Sequence, residues 1–246
     1  MRFKMNKYLL KTGSVLLSSL LFMSCTDQPS QPEFDYKPEI NVIGLLILNN
    51  NQKNIRIERT FSIKEKITDD RYISDALVFV HCGEQKVPFV HLFDGNYADE
   101  NNDLELRAGA YYQLEVLLND GRQVFAETQM PARPSILDPI KEQMVGAFTT
   151  LQVNWQGAPF AYRYAVSIEG LSNSFEIMDF SEDTEQTMFA FLFAGPGTYR
   201  LKVSSLDINF YDYSRERSNR YPIQHMDGAL GVFGAMAYET VVFQAE

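Results

Sequence analysis

Cysteine, tryptophan, histidine and long apolar runs are all scarce in this 246-residue chain, and each scarcity excludes something. Two cysteines, Cys25 and Cys82, cannot make a disulfide-stapled scaffold, so the fold must rest on a hydrophobic core. Three histidines are a thin supply for metal binding or acid–base catalysis. His81 and Cys82 are neighbours in a strand-like run, so their side chains point to opposite faces and do not chelate one ion. His81 and His91 meet only across a hairpin, and His225 has no partner visible in the sequence. The apolar stretch Val15 to Met23 is nine residues long and holds two serines, whereas spanning a bilayer takes about 20. Cations are outnumbered: 22 Lys and Arg face 32 Asp and Glu, a formal charge of −10, which disfavours nucleic acid and anionic surfaces as partners. No nucleophile elbow, phosphate loop, His-Glu-x-x-His or dinucleotide fingerprint occurs.

The N-terminus carries an address. Arg2, Lys4, Lys7 and Lys11 precede the short apolar run, and Ser24 is a small residue just before Cys25, the layout of a secretory signal over 1–24. Leu21-Phe22-Met23-Ser24-Cys25 resembles the lipobox of bacterial lipoproteins, with Met where a smaller residue is commoner. That resemblance implies that Cys25 is lipidated and becomes the first mature residue. The signal takes four basic residues and no acidic one, so the formal charge moves from −10 to −14. Residues 25–38, with Pro29, Pro32 and Pro38 among polar side chains, cannot form a core and read as a tether. Cys82, at the end of the apolar run Ala76–Cys82, then reads as a buried, inert thiol.

From Ile40 onward the pattern is that of strands. Ile40 to Leu48 is nearly continuously apolar, Ile55 to Ile63 alternates, and Ala76–Cys82, Tyr111–Leu118 and Val124–Ala126 follow, with turn signals every 8–12 residues. Pro88 points to an edge position for the strand it interrupts. Met130-Pro131-Ala132-Arg133-Pro134 breaks the rhythm as a linker does. Strands resume at Leu151–Trp155, and an alternating stripe runs through Tyr162, Tyr164, Val166 and Ile168. Met188–Phe193, Tyr199–Val203 and Tyr238–Phe243 complete the series, and no segment beyond the signal shows helical periodicity. Tyr112-x-Leu114-x-Val116 and Tyr199-x-Leu201-x-Val203 each follow a glycine closely, as the corner tyrosine of an immunoglobulin-like sixth strand does. The expectation is an all-β protein of two tandem immunoglobulin/fibronectin-III-like β-sandwiches, 39–131 and 132–246.

The most specific string is Asp227-Gly228-Ala229-Leu230-Gly231-Val232-Phe233-Gly234-Ala235. Together with Asp75-Ala76-Leu77-Val78, the Tyr97…Gly109…Tyr112 stretch and Met130-Pro131, it resembles a Bacteroidota lipoprotein family catalogued as domain of unknown function 4249. Ala229 stands where that family has a second glycine, and His225-Met226 replaces its usual lead-in. The resemblance spans about Glu39 to Tyr238. It implies an exported β protein at the outer membrane, often associated with TonB-linked outer-membrane receptors, and it transfers no catalytic residue. Read by themselves, Gly228, Gly231 and Gly234 suit a bent, tightly packed final strand with Val232 and Phe233 buried between the bends.

Two clusters could carry binding. Asp94, Asn96, Asp99 and Asp103 are oxygen donors for a candidate Ca²⁺ site, although Asp, Asn and Gly also serve turns. Phe210, Tyr211, Tyr213, Arg215, Arg217 and Tyr221 mix aromatics with arginines, the chemistry of interaction hot spots and of stacking on a glycan. The alternative is that Phe210, Tyr211 and Tyr213 finish a strand. The acidic run Glu176–Glu185 reads as a solvated loop. The expected function is a non-enzymatic, lipid-anchored accessory or interaction module for transport or surface assembly. A surface adhesin or glycan binder is the alternative, and a hydrolase the remote one.

Overall fold

Alternation of apolar and polar residues builds nearly every strand. The structure, a computed structural model, describes residues 37–62, 66, 68–215 and 225–246. Cys25, Arg217 and Tyr221 lie outside the described residues. In β1 (Ile40–Ile47) every second side chain is buried, and β2 (Gln52–Arg59) returns antiparallel to it after Asn51, which takes a left-handed φ of 51°. β3 (Leu77–Cys82), β4 (Gln85–Phe93), β5 (Asn96–Ala98), β6 (Tyr111–Leu117) and β7 (Gln123–Gln129) complete the first set. β4 pairs with β3 through residues 85–89 and with β5 through residues 90–93, so it passes from one layer to the other. Pro88 sits on the stretch that β3 alone flanks, where its missing N–H leaves no gap in a second ladder.

The second set comprises β8 (Ser135–Asp138), β9 (Met144–Val145), β10 (Leu151–Gln156), β11 (Arg163–Gly170), β12 (Glu176–Ser181), β13 (Glu185–Met188) and β14 (Gly197–Leu206). A small sheet ordered β13-β10-β8 faces the β12-β11-β14 layer across a core that contains Trp155, Tyr199 and Phe243. The acidic run is therefore the edge strand β12 and the turn after it, not only a loop. Met188–Phe193 ends as a 3-10 turn over Phe189–Phe193 rather than as a strand. After β14 comes α1 (Ile208–Arg215), the one α-helix among the described residues, in a chain whose sequence shows no helical period. Then β15 (Met226–Asp227) pairs with β7, and β16 (Leu230–Ala245) closes the chain.

β16 joins both sets. Its first half runs parallel to β1, with Asn41 opposite Leu230 and Ile47 opposite Met236. Its second half runs antiparallel to β14, from Leu206 opposite Met236 to Gly197 opposite Ala245. Phe233, Ala235 and Met226 accordingly lie in the first core, with Val42, Ile55 and Tyr112. The sequence expectation ends the first sandwich at Pro131. In the structure the chain comes back to it at residues 226–236, because β16 is long enough to serve both layers. A third small core of Ala165, Leu206, Tyr211 and Met236, flanked by Leu45 and Ile47, fills the joint.

The glycine string explains how β16 fits. Gly228 (φ 84°) and Gly231 (φ 108°) hold left-handed angles that side chains resist, and Cβ atoms there would meet the carbonyl oxygens of Gln123 and Val42 at 2.1 and 2.0 Å. Gly234 keeps β16 close to α1, where a Cβ would lie 2.7 Å from that of Phe210. Both corner tyrosines are present. The Tyr112 hydroxyl accepts from the Arg107 N–H (2.7 Å) and donates to the Glu105 carbonyl (3.1 Å). The Tyr199 hydroxyl donates to the Gly195 carbonyl (2.5 Å) and accepts from Asn173 Nδ2 (3.1 Å).

Candidate functional site

The joint is built on the segment Leu206-Asp207-Ile208-Asn209, where β14 turns into α1. Asp207 is the N-cap: its Oδ1 accepts the Phe210 N–H at 2.9 Å, and its carbonyl accepts the Tyr211 N–H at 3.1 Å. The carboxylate is buried, and its Oδ2 accepts the hydroxyl of Thr128 on β7 at 2.5 Å. Burial pushes the Asp207 carboxyl pKa up from its ordinary value, against the pull of those hydrogen bonds. Asn209, also buried, donates through Nδ2 to the Glu127 carbonyl (2.6 Å) and the Phe233 carbonyl (2.8 Å), stitching β7 to β16. Ser205 Oγ adds bonds to the carbonyls of Ala132 (2.6 Å) and Ala237 (3.1 Å). Each buried polar group here has a partner from another element, and that fixes the two sandwiches against each other.

Beside this joint lies a cleft of about 390 Å³ between the sandwiches. Tyr111 of β6, with Glu127 and Gln129 of β7, forms one wall, and Phe160 and Tyr162 form the other, with Asp207 and Ile208 beneath. Tyr111 is 55% exposed and Phe160 54%. Phe160 holds φ 65°, a left-handed angle rare for a bulky residue, and its ring lies where a side chain at Gly109 would be, 2.8 Å from the Cβ position. Gly109 itself has φ 82°, so this glycine provides both the turn before β6 and the seat for Phe160. The Tyr162 ring packs edge-on to Tyr211 at 5.5 Å, and the Arg163 guanidinium covers it at 4.5 Å.

The sequence-predicted surface falls elsewhere. Phe210, Tyr211, Tyr213 and Arg215 are brought together, but on α1 and not on a strand end or an open platform. Tyr211 is buried against Tyr162 and Phe180 (5.6 Å), while Phe210 and Tyr213 are half-buried. Arg215 is exposed and donates to the Tyr211 hydroxyl at 2.7 Å. The cause is the Asp207 cap, which starts a helix one residue after the strand ends and rolls Tyr211 into the joint. An Asp ahead of an aromatic run is the signal that would have found it. His225 gains a partner from the same helix, Asp212, at 2.8 Å.

The four proposed calcium ligands are not brought together. Asp94 sits in the β4–β5 turn and Asn96 begins β5, whereas Asp99 and Asp103 lie beyond β5 at its other end. The Asp99 carboxylate already holds a cation, the Lys53 ammonium at 2.7 Å, with side-chain exposures of 2% and 3% respectively. Lys53 also donates to Asn102 Oδ1 (2.8 Å) and the Leu104 carbonyl (2.6 Å), which satisfies its three protons. Asp99 accepts the N–H groups of Asp103 (2.9 Å) and Leu104 (2.8 Å). Among the described residues no group of three or more His, Cys, Asp and Glu gathers around a metal-sized site. His81 and His91 stay apart: His81 bonds Glu115 at 2.8 Å, and His91 packs edge-on to Tyr97. Cys82 is a free, half-buried thiol packed against the first core.

No curated protein matches the chain. Among solved structures it is similar to a two-domain fibronectin type III segment of chicken tenascin, at 9% identity and a TM-score of 0.27, over 69% of this chain and 91% of that one. It is also similar to fibronectin(III)-like modules of Clostridium thermocellum CbhA, at 12% identity and a TM-score of 0.28, over 84% of this chain and 94% of that one. A third likeness is to the FN1–FN3 domains of chicken CNTN1, at 10% identity and a TM-score of 0.27, over 85% of this chain and 66% of that one. A family profile matches residues 27–240, a range that takes in the capped joint, both corner tyrosines and the glycine string. The chain belongs to the family described as Domain of unknown function (DUF4249).

Proposed function

We propose that the protein is a non-enzymatic, lipid-anchored interaction module of a Bacteroidota outer membrane, held by acyl chains on Cys25 and serving transport or surface assembly. The observation that carries this reading is a group of exposed apolar side chains on the loops beside the end of the shared strand. The chain enters β1 at Ile40, level with the start of β16, and the end of β16 is level with Gly197. Sixteen residues of strand span about 50 Å. At that far end the loops present Phe148 (61% exposed) and Phe189 (67%), with Leu171 and Leu192 also exposed. Phe148 is tied to this end by its N–H to the Ala194 carbonyl (3.1 Å), and Leu171 by its N–H to the Thr198 carbonyl (2.9 Å). Exposed apolar loops on an anchored module are suited to contact a second protein, and a TonB-linked receptor is the partner class that this reading favours.

Affinity purification of the tagged, full-length protein from its native outer membrane, followed by mass spectrometry, tests the reading. Stoichiometric recovery of a TonB-linked receptor, lost on replacing Phe148 and Phe189 by serine, supports it. Recovery of the protein alone counts against it. Cys25→Ser is expected to abolish palmitate labelling and to release the chain from the membrane fraction, because each buried acyl CH₂ contributes about 0.8 kcal/mol.

A further inference from the structure

The inter-sandwich cleft combines three features that neither its fold nor an interaction module requires. Its walls are exposed aromatic rings held from behind: Phe160 is seated on Gly109, and Tyr162 is wedged against Tyr211. Its accessible polar groups are those of Glu127 and Gln129, since Thr128, Asp207 and Asn209 are buried and bonded within the joint, and among the described residues no lysine, arginine or histidine lines it. Its carboxylates are partly engaged by neutral donors. Glu127 Oε2 accepts from Gln113 Nε2 (2.8 Å), and both oxygens of Asp207 accept bonds.

These features decide between ligand classes. An anion would meet acceptors, and the nearby Arg163 guanidinium is stacked on the Tyr162 ring and is not part of the lining. A cationic side chain would have to shed its water to reach the Asp207 carboxylate, which is buried, and the exposed Glu127 alone would hold it weakly. A neutral polyhydroxylated ring fits both halves of the lining: its C–H face lies on an aromatic ring, and its hydroxyls donate to the oxygens beside it. A volume of about 390 Å³ falls in the range of small-molecule sites. We propose that this cleft is a saccharide-binding site for a neutral sugar unit of an oligosaccharide, with Tyr111 as the stacking platform and Glu127 and Gln129 as the hydroxyl acceptors. The site is separate from the Phe148 loop, and the proposal does not depend on how the chain is anchored or on a protein partner.

Isothermal titration of the full-length chain in detergent tests it, with cellotetraose, laminaritetraose, xylotetraose and mannotetraose as probes and hexalysine as the cationic control. At least one neutral tetrasaccharide is expected to bind with a Kd of about 1 mM or tighter. Tyr111→Ala is expected to weaken that binding about tenfold, and Tyr111→Phe to retain most of it. The melting temperature of both variants should be unchanged, since Tyr111 is an exposed side chain on β6. Absence of binding by all four saccharides at about 10 mM, ten times that limit, would overturn the proposal. So would saccharide binding indifferent to Tyr111→Ala, or hexalysine binding that this substitution abolishes.

Discussion

Across the joint, the hydroxyl of Thr128 on one sandwich donates to the carboxylate of Asp207, the residue that begins the helix on the other side, at 2.5 Å. No cation among the described residues is hydrogen-bonded to that carboxylate, and burial raises its pKa. A carboxyl whose pKa is higher folded than unfolded binds more protons in the native state. Its contribution to stability is therefore greatest below the unfolded value and falls as pH rises through the folded one. Asp207→Asn keeps an acceptor for the Phe210 N–H and carries no charge. Urea unfolding from pH 4 to pH 8 should show the variant gaining on the parent as pH rises. Two curves that stay parallel across that range would refute the assignment.

The Lys53–Asp99 pair behaves in the opposite sense. Burial would push the Asp99 carboxyl up, but the Lys53 ammonium and the amides of Leu104 and Asp103 together outweigh it and hold it below its ordinary value. Stability from this group is present above the unfolded pKa and is lost as pH falls through the folded one. Removing one partner of a buried pair leaves the other charge uncompensated, so Lys53→Met is expected to cost about 3–5 kcal/mol. Adding Asp99→Leu to Lys53→Met should recover part of that loss, and a double-mutant cycle at neutral pH measures the coupling.

Much of this architecture is legible in the sequence, and the exceptions share a cause. Alternation marks β2, β6, β10, β11 and β14, because a strand with one buried face writes its period into the chain, while β1 and β7 are read from apolar runs. Tyr112 and Tyr199 are readable because a corner tyrosine bonds backbone only four to seven residues upstream. The β1–β16 ladder is not readable: Asn41 and Leu230 are parallel partners far apart in sequence, and no turn signal announces such a pairing. Helix α1 has only eight residues, shorter than the window in which a 3.6-residue period can be recognised. The cleft escapes for the same reason as the ladder. Tyr111 and Phe160 come from different sandwiches, and only the shared strand and the capped joint bring them together.

The glycine string yields a prediction that separates conformation from bulk. At Gly231 a methyl group would meet the Val42 carbonyl oxygen at 2.0 Å, with φ at 108°. Strain of about 1–3 kcal/mol and overpacking of similar size both apply, so Gly231→Ala is expected to cost about 3 kcal/mol or more. Gly121 also has a left-handed φ, 87°, but an added Cβ would have open space around it. Gly121→Ala should then show the strain alone. Equal losses for the two variants in thermal unfolding would mean that the β16 contact carries no weight.

Tyr112→Phe removes one hydroxyl that serves two backbone groups, the Arg107 N–H and the Glu105 carbonyl. Leaving part-buried backbone groups unpaired costs about 1–3 kcal/mol. The ring, wholly buried in the first core, stays in place. The loss should therefore appear as a lower denaturation midpoint with an unchanged slope.

Tyr211 and Tyr213 sit two residues apart on α1, and their fates should differ. Tyr211 is buried between Tyr162 and Phe180, and it belongs to the small core that locks the sandwiches together. Truncating a buried aromatic to alanine typically costs about 3–5 kcal/mol. Tyr211→Ala is therefore expected to lower stability by that order and to loosen the joint, which limited proteolysis around Ala132–Pro134 would detect as new cleavage. Tyr213, half-buried on the same helix, should lose far less on the same change. A Tyr211→Ala protein with unaltered melting and proteolysis would return this ring to the surface role that its sequence context implies.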